Sequence, residues 1–164
     1  YEESPGCGGR SVHRYATTVS RKMMNCRRKM AELFNANESN EIIFTKNATH
    51  SLNQVAKGLS WNKGDVVLTT DREHNSNLVP WLQLEEEQGI DHRVVKSNDD
   101  NTFNLENFEN ACADAGNNLK LVSLSHVRNL DGIATPVKEA TKIAKDFGAM
   151  VCIDGAQSLS LIHI

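Results

Sequence analysis

Four short apolar runs, each followed or preceded by a helix-patterned stretch, constrain this chain more than any other feature. The runs are DVVLTT (65–70), HRVVK (92–96), LKLVSLS (119–125) and AMVCID (149–154). Between them lie NLVPWLQLEEEQG (77–89), NLENFENACADAG (104–116) and PVKEATKIAKDFG (136–148). Pro80 and Pro136 fall where a first helical turn tolerates a missing N–H, and Gly89 and Gly148 stand where helices stop. Strands that are apolar almost throughout, alternating with helices, require a parallel sheet covered on both faces. The pattern leaves the order of the strands open. Upstream, EIIF (41–44) reads as a further strand and NATHSLNQVAKGL (47–59) as a helix closing on Gly58. A helix is expected from Val19 to Asn35, with Val19, Met23, Cys26, Met30 and Leu33 on one stripe. Residues 1–18, rich in glycine and polar side chains, read as an extended segment.

A chain of 164 residues has the length of one domain and can bury a core without staples. Its net charge of -3 argues against a nucleic-acid partner, which calls for a basic footprint. The one dense basic run, RKMMNCRRK (21–29), has helical spacing and reads as a solvated helix face. The four cysteines, Cys7, Cys26, Cys112 and Cys152, form no Cys-x-x-Cys pair and no zinc spacing. No apolar run is long enough to span a bilayer. The expectation is a reduced, cytoplasmic protein with no membrane partner and no metal site.

In open α/β sheets, ligands sit beyond the carboxyl ends of the strands. The strand ends here carry Thr45 to His50, Asp71 to Asn77, His126 to Asn129 and Asp154 to Ser158. Asn47-Ala48-Thr49 opens a helix, where free N–H groups and the helix dipole favour an anion; an ordinary helix cap is the plainer reading. The glycine-rich dinucleotide and P-loop signatures are absent. Asp154 ends a buried strand and is either a turn former or a counter-charge for a cationic ring nitrogen. Asn129 and Gln157 could then donate to an oxygen on such a ring. His74 is either a capping histidine or an imidazole that stacks on a flat ligand and moves protons. A metal site built from His74, Asp71 and Glu73 is a poor alternative, because no second histidine stands at helical spacing.

The ordered motifs TKNATHSLN, EHNSNLVPW, SHVRNLDG and DGAQS resemble the class V aminotransferase group of fold-type I pyridoxal phosphate enzymes. The nearest branch is similar to the SufS-type cysteine desulfurases and selenocysteine lyases. The resemblance runs from about Arg10 to Ser158. It implies pyridoxal 5'-phosphate as cofactor, with Ala48 and Thr49 at the phosphate and His74 stacked on the ring and moving protons. It implies Asn129 and Gln157 near the phenolic oxygen and Asp154 on the pyridine nitrogen. It implies an α/β fold like the large domain of these transferases, a homodimer, a small amino-acid substrate such as L-cysteine, and a sulfur-acceptor protein. Departures are His50 where an acid is common, Asn75 where a second histidine is common, and Thr17 where another histidine is common. The family's cofactor-holding lysine, its acceptor cysteine and its small C-terminal domain lie on later segments. The expectation is therefore a partial large domain over 19–158, incompetent by itself, with the tail 159–164 of foreign origin. Another class V reaction, transamination or selenocysteine lysis, is the alternative on the same scaffold. A non-catalytic α/β binding module is the alternative from a different class.

Overall fold

The computed structural model describes Gly6, Gly8, Gly9 and residues 12–159, so Cys7 and the tail beyond Leu159 lie outside the described residues. The chain forms two compact units, one up to Thr45 and one from Lys46 onward.

In the first unit, α1 (Arg14–Phe34) begins five residues before its expected start. Polar residues that read as loop are satisfied within the helix. His13 caps it by accepting from the Ala16 N–H at 3.3 Å, and the Thr18 hydroxyl donates back to the Arg14 carbonyl at 2.9 Å. Asn35 ends it in the left-handed conformation with φ 52°. The expected apolar stripe is not its buried side: Met23 and Leu33 are 45% and 69% exposed, whereas Ala16 and Ala31 are buried. EIIF forms no strand. Glu41 instead closes a short 3-10 turn (Ser39–Glu41), where Glu38 and Glu41 cap each other, and the Arg27 guanidinium lies 5.5 Å from the Phe44 ring centre.

The second unit carries α2 (Ala48–Gly58), β1 (Val66–Thr70), α3 (Val79–Gln88), β2 (Asp91–Val95), α4 (Leu105–Ala115), β3 (Leu119–Ser125), α5 (Val137–Asp146) and β4 (Met150–Asp154). The four strands are all parallel, in the order β2-β1-β3-β4. Alternate residues of one strand feed opposite faces. Val66 and Leu68 join Phe108 and Cys112 of α4 and Ala140 and Ala144 of α5 on one side. Val67 joins Ala56 of α2 and Trp81 and Leu84 of α3 on the other. The step from β1 to β2 runs one way across the sheet with its helix on one face. The steps from β2 to β3 and from β3 to β4 run the other way with their helices on the opposite face. All three crossovers therefore share one hand, as twisted parallel strands require. The expected α/β sheet with helices on both faces is what the chain forms.

The register between β1 and β3 slips once. Val66 pairs with Leu119 but Val67 pairs with Leu121, leaving Lys120 as the extra residue. That slip lets Leu119 and Val122 serve the same core although they are three residues apart. It also turns the Lys120 ammonium to Asp65, 2.5 Å away, and 5.3 Å from the Trp61 ring centre. Burial alone would raise the Asp65 carboxyl, but the bond from Lys120, the Asn62 N–H and the lysine charge together hold it below its usual value. Among the described residues no helix is long and apolar enough to cross a membrane.

His92 on β2 supplies a titratable contact inside this frame. Its Nε2 lies 2.9 Å from the hydroxyl of the fully buried Thr69. Burial lowers its pKa from the ordinary 6.5, against the opposing pull of Glu85 and Asp91. A folded pKa below the unfolded one means that the unfolded chain binds more protons in between. Stability should thus be full above pH 6.5, fall as the pH drops below it, and level off beneath the depressed folded value. Urea titrations between pH 8 and pH 5 should show this decline in the wild type and a flatter profile in His92→Gln.

Candidate functional site

The direction of winding reverses between β1 and β3, so the loops leaving their carboxyl ends diverge and open a crevice there. A cleft of about 240 Å³ occupies this position. Its lining includes Ala48, Thr49, His74, Asn129, Asp154 and Gln157. These six side chains come from four separate chain segments and meet at one rim of the sheet.

Each segment is held locally. At the start of α2 the Asn47 side chain accepts from the His50 N–H at 2.9 Å, leaving the Ala48 and Thr49 N–H groups as helix donors without intrahelical acceptors. Asn129 is presented by a loop that folds back on β3. The Thr135 N–H donates to the His126 carbonyl at 2.8 Å, and Val127 bridges Ala134. Buried Arg128 anchors that loop through Asp131 at 3.3 Å and through the Asn101 carbonyl. After β4, Asp154 accepts from the Ala156 N–H at 2.9 Å and so starts the turn that carries Gln157. Asp154 is buried, and that turn bond is the one hydrogen bond its side chain makes among the described residues; it forms no ion pair there.

His74 caps a 3-10 turn (Asn75–Asn77). Its Nδ1 accepts from the Ser76 N–H at 3.1 Å and lies 2.7 Å from the Ser76 hydroxyl. A backbone amide can only donate, so in the neutral ring the proton sits on Nε2. The sequence pattern singles out His74 but gives its neighbour Glu73 only a place in a poor metal site. In the structure Glu73 is a staple. Its Oε1 accepts from the Thr70 hydroxyl at 2.7 Å, and its Oε2 accepts from the Asn77 side-chain amide at 2.7 Å and from the Ser125 N–H and hydroxyl at 2.8 and 2.6 Å. Asp71 is likewise engaged, accepting from the Ser97 hydroxyl at 2.7 Å. Among the described residues no group of three histidine, cysteine, aspartate or glutamate side chains could hold a metal ion. The serines at 123 and 125 are the signal that could have revealed the staple, since hydroxyls inside an apolar strand need buried partners.

The thiols near the sheet are not poised for attack. Burial, with Glu109 nearby, pushes Cys112 up to about 12. Burial also raises Cys152, reinforced by the charges of Asp154 and Glu73 and opposed by a bond with Ser123.

Fold and cleft together define a doubly wound α/β protein with its cleft at the switch point of the sheet. The chain belongs to the aminotransferase class-V family, whose model matches residues 1–164. It is 38% identical over 156 residues to a protein of Methanothermobacter thermautotrophicus named "Probable cysteine desulfurase", covering 95% of this chain and 38% of that protein. The apo structure of the cysteine desulfurase from Thermococcus onnurineus superposes with a TM-score of 0.87 at 35% identity, over 95% of this chain and 38% of that one. A variant of the cystine C–S lyase C-DES, with glycine covalently linked to its PLP cofactor, superposes with a TM-score of 0.79 at 26% identity, over 92% of this chain and 40% of that one. The chain thus spans about 38% of the length of the first of these relatives.

Asn77 locks this site to the core. It is fully buried, donates to Glu73, and its Oδ1 accepts from the Ser123 hydroxyl at 2.5 Å. Asn77→Ala should cost roughly 1–3 kcal/mol by leaving those partners unsatisfied. Chemical denaturation checks this, with the midpoint falling and the slope unchanged.

Proposed function

We propose that the protein is a pyridoxal 5'-phosphate-dependent cysteine desulfurase, converting L-cysteine to L-alanine while its sulfur passes to an enzyme thiol as a persulfide. The observation that carries this reading is Asp154. A buried carboxylate with a single hydrogen bond and no cation is costly unless a ligand supplies the charge. A protonated pyridine nitrogen is such a partner, and the cleft offers an anion-suited helix start for a phosphate. Relatives named cysteine desulfurase, and a neighbour that carries PLP, support the choice of ligand and substrate.

The residues present suit this cofactor. When bound, it supplies an electron sink for the bonds at the substrate's α-carbon. The Ala48 and Thr49 N–H groups and the Thr49 hydroxyl would bind its phosphate, where the helix dipole favours negative charge. Asp154 would keep the ring nitrogen protonated, and its near-burial strengthens that charge interaction. Asn129 and Gln157 would donate to the phenolic oxygen. His74 would stack on the ring and exchange protons at Nε2, because Ser76 occupies Nδ1. Cys112 and Cys152, both held as neutral thiols, are poor sulfur acceptors. By the family resemblance, the acceptor thiol and the lysine that holds the cofactor belong to other segments. The same reading includes a homodimer, a separate sulfur-acceptor protein and a cytoplasmic setting. It keeps 19–158 as part of the cofactor-binding large domain.

The test is a spectrophotometric titration of the complete protein with pyridoxal phosphate, followed by assay of alanine and sulfide from L-cysteine under reducing conditions. Absence of a bound-cofactor absorption band would end the proposal. Asp154→Ala should lower kcat about a hundredfold or more while cofactor still binds through its phosphate. Near-wild-type turnover in that variant would remove the role given to Asp154.

His74→Ala should lower kcat about a hundredfold with little change in thermal stability, since the side chain is exposed and, among the described residues, hydrogen-bonded only within its own turn. Chelator should leave wild-type activity intact. Loss of activity to chelator, with indifference to His74→Ala, would favour the metal reading instead.

A further inference from the structure

Resting on the reading of His74 as the group over the cofactor, we propose that Glu73 is the positioning residue that sets His74, acting through geometry and not as an acid, a base or a metal ligand. Four donors converge on its carboxylate, three of them on Oε2. A carboxylate used this fully has little capacity left to take a proton from a substrate. The donors come from three places that bracket His74. Thr70 ends β1 on one side of it. Asn77 ends the 3-10 turn on the other, and its N–H also donates to the His74 carbonyl at 2.8 Å. Ser125 ends β3, across the crevice between diverging loops, and pairs in register with Asp154.

Glu73 therefore ties the histidine to the same strand end that fixes the aspartate. Parallel pairing between β1 and β3 stops short of this point, at Leu68 and Val122. Beyond it, backbone pairing between the two strands no longer sets their separation, and the carboxylate spans them instead. Asn77 is in turn immobilised by the Ser123 hydroxyl and by the Trp81 indole N–H at 3.4 Å, so the far end of the His74 turn cannot drift. The ring itself is held by Ser76 inside that turn.

Glutamine has the shape to preserve this arrangement. Its carbonyl oxygen can accept the three bonds now made to Oε2. Its amide can donate to the Thr70 hydroxyl, which already accepts from the Arg72 N–H at 3.2 Å and can rotate its own proton away. Geometry is kept and charge is lost, so the pair of variants Glu73→Gln and Glu73→Ala separates the two.

The experiment uses the complete protein, with Glu73→Ala, Glu73→Gln, His74→Ala and the double alanine variant beside the wild type. The first readout needs no cofactor. In protein labelled with nitrogen-15 histidine, long-range proton–nitrogen spectra report the His74 tautomer. Wild type and Glu73→Gln should show the Nε2–H form, and Glu73→Ala a mixture. The second readout is turnover of L-cysteine. Glu73→Ala should lower kcat about tenfold or more with KM nearly unchanged, and Glu73→Gln should stay within about threefold of wild type. In the His74→Ala background the further loss on Glu73→Ala should be under about twofold, because two residues acting as a unit are not additive. Additive losses, an unmixed tautomer in Glu73→Ala, or a Glu73→Gln variant as slow as Glu73→Ala would each overturn the proposal. Should Glu73→Ala not fold, Glu73→Gln decides: it must keep both tautomer and turnover. If His74→Ala retains full turnover, the reading of His74 has failed, whereas the tautomer spectra still report whether Glu73 holds the ring.

Discussion

Everything in the second unit depends on one requirement of parallel strands: each connection must cross over a face, and all crossovers must have the same hand. A chain that steps from β1 to β2 and then continues from β3 to β4 has to reverse direction across the sheet. With a fixed hand, reversal moves the helices to the opposite face. Hence α3 packs with Val67 and α4 and α5 pack with Val66 and Leu68. The same reversal pulls the loops after β1 and β3 apart, and the cleft lies where they part. Covering both faces and opening the cleft are two results of one geometric constraint.

The reversal has a cost where the strands end. Backbone pairing stops before the loops separate, and polar groups at that edge need other partners. Side chains provide them. Glu73 collects Thr70, Asn77 and Ser125, and Asn77 passes the connection on to Ser123 in the core. Such a network is stable only when every member is satisfied, and here each one is paired. The lone bond of Asp154 stands out against that background. Among the described residues Glu73 accepts four hydrogen bonds, while the neighbouring buried carboxylate of Asp154 accepts one.

Membership in the class-V family and the likeness to cysteine desulfurases bear on the chain as a whole, whereas the roles proposed within the cleft rest on its local chemistry. Burial raises both the Cys112 and the Cys152 thiol, so neither ionises readily.

The residue pattern by itself specified the β-α alternation from Val66 to Asp154, because a strand buried on both faces has no room for polar alternation and helices carry their own stop signals in Gly89 and Gly148. It also marked His74, Asn129, Asp154 and Gln157, because titratable or amide side chains directly after apolar strands are conspicuous. It misread the start of α1 and the segment Glu41–Phe44, where side-chain caps and ring contacts within a few residues outweigh apolar content. Strand order, the slip at Lys120 and the grip of Glu73 on Ser125 were decided only by the tertiary structure. Each depends on which strands become neighbours, and residues 52 positions apart in sequence meet at 2.6 Å only after the sheet has closed.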